Sequence, residues 1–192
     1  MDDLRQWLFR AMMFEADCEP LRAAGIRIGA DQREFEVSLM DETLRPFSVS
    51  LRNDALRMTR LYALVYCFEN SVRQLIQERL EEASGSEWWE KCVPQKIRTQ
   101  AESRQKKDTE NSWLEGDKGS LLLYTEFGHL ADIVVANWVH FQDLIPTQHW
   151  IKQRLEEMEQ ARNFIAHNRR LLPGEFARLE AYVGDWNRQV GV

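Results

Sequence analysis

Three side chains that could do chemistry lie close together late in the chain: Arg162, Asn163 and His167. The unperturbed pKa of histidine is about 6.5, so this side chain can move protons near neutral pH. The guanidinium fork of arginine donates charged hydrogen bonds to anionic oxygens. These residue types suit a reaction in which a proton moves while negative charge develops. A lone histidine, however, is more often structural or solvent-exposed than catalytic.

The spacing of the three residues raises a geometric question. His167 follows Asn163 by four positions, which places both side chains on one face of a helix. It follows Arg162 by five positions, which separates their directions by about 140° on an ideal helix. Two possibilities stay open. Either the helix ends or distorts before His167, or groups from two subunits combine at one site.

Two charged residues, Arg162 and Glu69, stand where apolar rows predict core residues. An isolated charge in a core is very costly, so each should be paired or lie beside a cleft. Both side chains could extend to the edge of a helical bundle. Alternatively, Glu69 with Asn70 and Arg73 supports Arg162 at a functional seam. The apolar neighbours are Tyr62, Val65, Val72 and Ile76 around Glu69, and Ile151, Leu155, Met158 and Ile165 around Arg162, which falls near the centre of its row.

The remaining histidines do not suggest a metal site. His129, His140 and His149 lack metal-ligand spacing with cysteines or carboxylates. The sequence contains no H-E-x-x-H motif, no glycine-rich phosphate loop and no G-x-S-x-G motif. We therefore expect neither a metal nor a nucleotide cofactor.

The elements that position these residues are predicted to be helices, because apolar residues recur at steps of three and four. Thr147 is a predicted N-cap, and Pro173 is a predicted first-turn residue. Ser84, Gly85 and Ser86 should end the longest helix. The predicted fold is all-α: an antiparallel bundle of four to five main helices within residues 51–192. The periodic segments cover residues 51–83, 123–141, 147–170 and 173–190.

Residues 1–50 are predicted to form a small N-terminal appendage. It should contain a short amphipathic helix over residues 1–16. Phe35, Val37 and Leu39 alternate with polar residues, which indicates a short strand or hairpin. Farther along, residues 91–107 hold six basic residues and one acidic residue. This segment is either a solvated, partly mobile arm or a phosphate-contacting surface, and Pro94 could begin a helix in it.

Composition and charge narrow the class of protein. Hydrophobic residues make up 44% of the 192 residues, enough for one core. The formal net charge of −6 argues against tight, non-specific binding of long nucleic acid, although it permits a local basic cleft. The three cysteines are far apart and odd in number, which favours a reduced, cytoplasmic setting. We expect no signal peptide and no membrane span.

The segment around these residues resembles a known family signature. The sequence RNFIAHN, residues 162–168, resembles the R-x(4–6)-H motif of the HEPN superfamily, in which Asn often follows the Arg. The sequence ENSVRQLI, residues 69–76, resembles part of the long first bundle helix in one HEPN branch. That branch is found in RNA-surveillance endonucleases and in bacterial toxin and defence proteins. The ending, residues 179–190, is also similar, and the resemblance covers about residues 50–190.

The resemblance implies metal-independent RNA cleavage by a symmetric homodimer whose two motif helices face each other. The ribose 2′-hydroxyl would attack the adjacent phosphate and leave a cyclic phosphate. In that scheme His167 moves protons, Arg162 stabilises the phosphate oxygens, and Asn163 orients His167 or the phosphate.

The resemblance also extends the predicted site beyond the motif. Asn168, like Glu69, Asn70 and Arg73, would support the site. Arg169 and Arg170 would bind the RNA substrate.

Two functions remain open. The first is an RNA endonuclease, acting as a toxin or antiphage defence effector that an antitoxin or regulatory protein restrains. The second is a non-catalytic HEPN module for dimerisation or partner binding. The presence of both Arg162 and His167 favours the enzyme. The acidic charge and the lack of an obvious RNA-binding module favour the second function.

Overall fold

Every regular element in the part of the chain that the computed structural model describes, residues 2–23, 43–111 and 119–191, is helical. This confirms the predicted all-α fold. The chain divides into two units, residues 1–55 and 56–192. The α-helices are α1 (Asp2–Ala23), α2 (Val49–Ser84), α3 (Trp88–Cys92), α4 (Gln95–Asn111), α5 (Phe127–Ala136), α6 (Gln148–Ala166) and α7 (Pro173–Val190). Short 3-10 helices cover Gly85–Glu87, Leu121–Tyr124 and Trp138–His140.

The N-terminal helix α1 is longer than the predicted segment of residues 1–16. It continues to Ala23 and includes Pro20 in its last turn. Cys18 is buried, whereas Met12 is exposed together with Trp7 and Phe9. The predicted strand or hairpin around residues 35–39 lies outside the described residues.

The core of the second unit is built on the apolar row of α2. Phe68 lies at its centre, with its ring centroid 6.4 Å from that of Phe127 and 5.4 Å from that of Trp186. The indole nitrogen of Trp186 donates a hydrogen bond of 2.8 Å to the Ser71 hydroxyl. Large aromatic side chains bury extensive apolar area, and a buried Trp N–H needs an acceptor. The buried α2 residues are Leu61, Val65, Phe68, Val72, Leu75, Ile76 and Leu80.

Contacts between α2 and α7 show that these two helices run in the same direction. Arg60 forms an ion pair of 2.5 Å with Glu180. Farther along both helices, Ser71 accepts the hydrogen bond from Trp186. The residues in contact follow the same order along both helices, from Arg60 to Ser71 in α2 and from Glu180 to Trp186 in α7. The first turns of α7 therefore lie at the same end of the bundle as the part of α2 near Arg60.

Helix α6 runs opposite to α7. Glu157 pairs with Arg178 at 2.6 Å, while Arg154, earlier in α6, stacks over the ring of Tyr182, later in α7, with its guanidinium carbon 4.0 Å from the ring centroid. The C-terminal end of α6 therefore lies near the start of α7. It shares that end of the bundle with the part of α2 around Arg60.

The basic segment over residues 91–107 is a packed helix for most of its length, so its interpretation as a mobile arm is wrong. Helix α4 begins directly after Pro94, whose carbonyl accepts hydrogen bonds from the next turn. Ile97 and Ala101 are buried. Arg104 donates to the Tyr124 carbonyl at 2.9 Å, which connects α4 to the following 3-10 helix.

Two of the predicted helix starts are confirmed. The Thr147 hydroxyl accepts a hydrogen bond of 3.0 Å from the Trp150 backbone N–H, as an N-cap does. Pro173 occupies the first position of α7. The predicted end of α6 near residue 170 is wrong, because the helix ends at Ala166. None of the helices described here has the length and apolar character needed to cross a membrane.

Candidate functional site

Arg162, Asn163 and His167 lie on the last turn and C-cap of α6, and all three are exposed in the single chain. Arg162 donates a hydrogen bond of 3.2 Å from Nη1 to the Asn163 side-chain oxygen. The expectation that Arg162 falls near the centre of the buried row is wrong. The row continues from Met158 by a step of three to the small, buried Ala161, so Arg162 stands at the edge of the bundle.

The chain leaves the helix through a left-handed residue. Asn168 has a φ of 53°, a conformation that asparagine tolerates better than most residues other than glycine. Its N–H donates to the Ile165 carbonyl at 2.8 Å, and the Arg169 N–H donates to the Phe164 carbonyl at 3.1 Å. These two bonds form a Schellman motif. Asn168 therefore has a structural role, because its left-handed conformation terminates the helix directly after His167.

This helix end bears on the geometric question that the motif spacing raises. The last residue of α6 is Ala166 and His167 is its C-cap, so the helix does end at this point. The His167 N–H still donates to the Asn163 carbonyl at 3.2 Å, as in a continuing helix, so this helix end alone does not turn His167 towards Arg162. The combination of groups from two subunits stays a prediction.

Arg169 folds back onto α6. Its guanidinium carbon lies 4.0 Å from the centroid of the Phe164 ring. A Schellman motif usually has an apolar contact between these two positions, and a cation–π contact takes its place here. Arg170 is also exposed. Both arginines stay predicted substrate-binding residues.

The end of α6 is locally positive in an acidic chain. Residues 160–174 include three arginines and His167 but no aspartate or glutamate, although the formal net charge of the chain is −6. Such a segment can attract phosphate without making the whole protein basic. The net charge of the chain therefore does not exclude phosphate binding at this end of α6.

Glu69, Asn70 and Arg73 form a separate cluster on α2. The Glu69 carboxylate pairs with Arg73 at 2.5 Å, and both side chains are only 13% exposed. Arg73 also donates to the Asn70 side-chain oxygen at 3.3 Å and to the Thr125 carbonyl at 3.2 Å. Asn70 in turn donates to the Tyr66 carbonyl at 2.9 Å.

This cluster braces α2 against the turn that precedes α5. The expectation that Glu69 is paired is confirmed, because its partner is Arg73. No hydrogen bond or ion pair among the described residues joins Glu69 to Arg162 within one chain, and the supporting role of Glu69, Asn70 and Arg73 stays a prediction. Thr125 is a member of the cluster that the sequence did not indicate, because its contribution is a backbone carbonyl that no side-chain pattern reveals.

A polar groove of about 400 Å³ adjoins this cluster. Its walls carry side-chain amides and Arg73, whose Nε is buried without a hydrogen-bond partner. The lining residues are Asn70, Arg73, Gln74, Gln77, Glu78, Glu81, Ser120, Leu122 and Leu123. Across the described ranges, no three His, Cys, Asp or Glu side chains gather closely enough to hold a metal ion.

The chain matches a known protein family. Residues 64–191 match the model of a protein family described as Swt1-like HEPN, which covers α2 from Leu64 onward and all of α3 to α7. No curated protein and no solved structure matches the chain significantly.

Proposed function

The chain belongs to the Swt1-like HEPN family, and from that membership we propose that it is a metal-independent RNA endonuclease. HEPN domains are commonly ribonucleases. The observation that carries the proposal is the end of α6, where Arg162, Asn163 and His167 are exposed in a segment free of acidic residues. We further propose that residues 51–192 form the HEPN domain and that residues 1–50 are an appendage to it.

The proposed reaction is a transesterification within the RNA. The ribose 2′-oxygen attacks the adjacent phosphorus while its proton is removed. The bond from phosphorus to the 5′-oxygen breaks, and that oxygen receives a proton. The products are a 2′,3′-cyclic phosphate and a 5′-hydroxyl, so no oxidant, metal or cofactor is consumed.

Each residue of the motif has a part that suits its chemistry. His167 exchanges protons with the 2′-hydroxyl or the leaving oxygen, because imidazole can do both near neutral pH. Arg162 donates charged hydrogen bonds to the phosphate oxygens as negative charge develops. Asn163, which already bonds to Arg162, orients that guanidinium or the phosphate. Arg169 and Arg170 bind the RNA backbone outside the cut site.

We propose that the active form is a two-fold homodimer. One His167 cannot easily remove a proton on one side of the phosphorus and deliver another on the opposite side. A second copy facing the first would supply a second imidazole and a second guanidinium. A two-fold axis near the end of α6 brings equivalent residues together, because such an interface uses the same surface of both subunits.

The cellular part of the proposal follows from the activity. An enzyme that cuts RNA without a metal or cofactor is active as soon as it dimerises. We therefore propose that it acts as a toxin or antiphage defence effector that an antitoxin or regulatory protein holds in check.

The test is cleavage of RNA by the purified chain with EDTA present. We expect His167→Ala and Arg162→Ala to lose cleavage by about 100- to 10,000-fold and about 100- to 1,000-fold, respectively. His149→Ala is a matched control, because His149 is also exposed and lies at the opposite end of α6. Arg188→Ala, an exposed arginine on α7, serves the same purpose for Arg162. Equal loss in the control variants would contradict the assignment.

A non-catalytic HEPN module is the alternative, and the acidic net charge of −6 favours it. It predicts that wild type and His167→Ala are equally inactive towards every RNA tested. The same experiment therefore separates the two functions.

A further inference from the structure

Two neighbouring tyrosines on α2 are exposed. Tyr62 is 58% and Tyr66 is 55% exposed, and their ring centroids lie 6.0 Å apart with an angle of 34° between the ring planes. They are one helical turn apart, so they stand side by side on the same face. Large aromatic side chains supply much of the binding area wherever they meet a partner. We call this pair the tyrosine strip.

The tyrosine strip continues a row that is covered farther along α2. Tyr62, Tyr66, Glu69 and Arg73 follow at steps of four, three and four, so they share one side of the helix. Arg73 on that side is covered by the turn before α5, where it donates to the Thr125 carbonyl. Helix α5 begins at Phe127, which stacks against Phe68. The strip precedes Phe68 in α2, and both of its rings are exposed in the part of the chain that the structure describes.

The strip also shares an end of the bundle with the proposed catalytic residues. The Arg60–Glu180 ion pair places the first turns of α7 beside the part of α2 just before Tyr62. The Glu157–Arg178 pair shows that α6 runs back along α7, so its C-terminal end, with His167, points to that same end. The strip and His167 therefore lie at the same end of the bundle, which is where RNA bound at His167 would lie.

We propose that Tyr62 and Tyr66 are a stacking platform for two bases of the RNA substrate. This proposal rests on the proposed endonuclease function. Every base has a flat π-face, so such a platform binds single-stranded RNA with little dependence on sequence. It also accounts for how a chain with a net charge of −6 can hold RNA. Stacking adds affinity that does not depend on neutralising many phosphates.

The surroundings of the strip favour RNA over a second copy of the chain. A stable protein interface buries more than about 1,000 Å² and has an apolar centre. Here the next positions on the same side, Glu69 and Arg73, are charged and pair with each other, and the groove beyond them is lined by polar and acidic side chains that include Gln77, Glu78 and Glu81. A strip with these neighbours lacks the apolar centre of a protein interface, whereas two exposed ring faces are enough for base stacking.

The test measures RNA binding without cleavage, in the His167→Ala background. The probe is a fluorescein-labelled, short single-stranded RNA, and the readout is fluorescence anisotropy. Replacing both tyrosines with alanine should weaken binding by about 5- to 150-fold for each ring that stacks. Replacing both with phenylalanine should keep the affinity within about twofold, since the ring face is retained. Leu56→Ala is the matched control, because Leu56 is a large exposed residue on another face of α2.

Two further readouts separate base stacking from contacts to the RNA backbone and from an effect on the chemical step. An RNA of the same length with abasic sites in place of its bases should bind the parent and the double-alanine variant equally. In the active enzyme, the double-alanine variant should raise KM and leave kcat unchanged, because the rings hold the substrate and do not move protons.

Four results would overturn the proposal. The double-alanine variant could bind RNA as tightly as its parent, or the phenylalanine variant could lose as much affinity as the alanine variant. Light scattering could show that loss of the rings converts a dimer to a monomer, which would make the strip a dimer interface. Finally, His167→Ala protein could fail to bind RNA at all. Failure of the wild type to cleave RNA is a different result, since it removes the endonuclease proposal while the binding comparison still decides on stacking.

Discussion

Removing one partner of the Glu69–Arg73 ion pair should destabilise the protein far more than removing one partner of a second pair of the same length. The two side chains of the Glu69–Arg73 pair are each 13% exposed, at a separation of 2.5 Å. The Arg60–Glu180 pair also measures 2.5 Å, but its side chains are 72% and 38% exposed. The distance is the same, but the first pair is largely buried and lies within α2, whereas the second is exposed and joins α2 to α7.

Glu69→Ala would leave the Arg73 guanidinium in a nearly closed site. Its remaining acceptors are the Asn70 side-chain oxygen and the Thr125 carbonyl, and its Nε has no partner. Stranding a buried cation costs about 3–5 kcal/mol, and partial exposure favours the lower end, about 3 kcal/mol. For a unit of residues 56–192, this corresponds to a fall in Tm of about 12 °C. Glu180→Ala should cost about 1 kcal/mol or less.

The assay is thermal and urea unfolding of the wild type, the two single variants and the double variant Glu69→Ala/Arg73→Met. The double variant should be more stable than Glu69→Ala alone, because it no longer contains an unpaired cation. If Glu69→Ala and Glu180→Ala destabilise the protein equally, or if the double variant is less stable than Glu69→Ala, the reasoning from burial is refuted.

Three other predictions concern the end of α6, a surface ion pair and assembly. Asn168→Ala should lower the free energy of unfolding by about 1 kcal/mol and Asn168→Gly should not, because alanine is strained at a positive φ; equal effects in urea unfolding would contradict this. The hydrogen bond from Arg79 lowers the pKa of Asp143, so this residue stabilises the fold above its unfolded-state pKa and loses that effect as the pH falls through its folded pKa. Asp143→Asn should therefore be less stable than the wild type at neutral pH but equal to it in acid, and a difference that persists in acid would disprove the assignment. Light scattering should give a dimer at micromolar concentration, with Arg162 and His167 protected from proteolysis or labelling; a monomer would count against the composite site.

Local signals account for the parts of the fold that could be predicted. Thr147 and Pro173 mark helix starts through their own hydroxyl and ring, and Gly85, with a positive φ, follows the end of α2. Asn168 is an equally readable stop signal, because asparagine often adopts the left-handed conformation. Helical periodicity alone instead extends α6 to about residue 170, past the observed end at Ala166.

The burial of some residues is predicted wrongly because it depends on packing between helices, which the periodicity of a single helix does not show. Ala161 and Arg162 both continue the row from Met158, and only the neighbouring helices decide that the small residue is buried. The sequence does not reveal that α4 is packed, because most of its residues are polar or charged and its buried residues are Ile97 and Ala101. The i,i+4 spacing of Glu69 and Arg73 is visible in the sequence, whereas the Thr125 carbonyl that completes their cluster is not.

The central claim is that the RNA 2′-hydroxyl attacks the phosphate with the help of His167. The most direct test compares two RNAs that differ only in the 2′ substituent of the ribose at the cut site. One is a short RNA that the wild type cuts, and the other carries a 2′-methoxy group on the ribose at the cut site. With EDTA present, we predict cleavage of the first RNA to a 2′,3′-cyclic phosphate and a 5′-hydroxyl, and no cleavage at that position in the second. Equal cleavage of both RNAs, or undiminished cleavage by His167→Ala, would contradict attack by the 2′-hydroxyl assisted by His167.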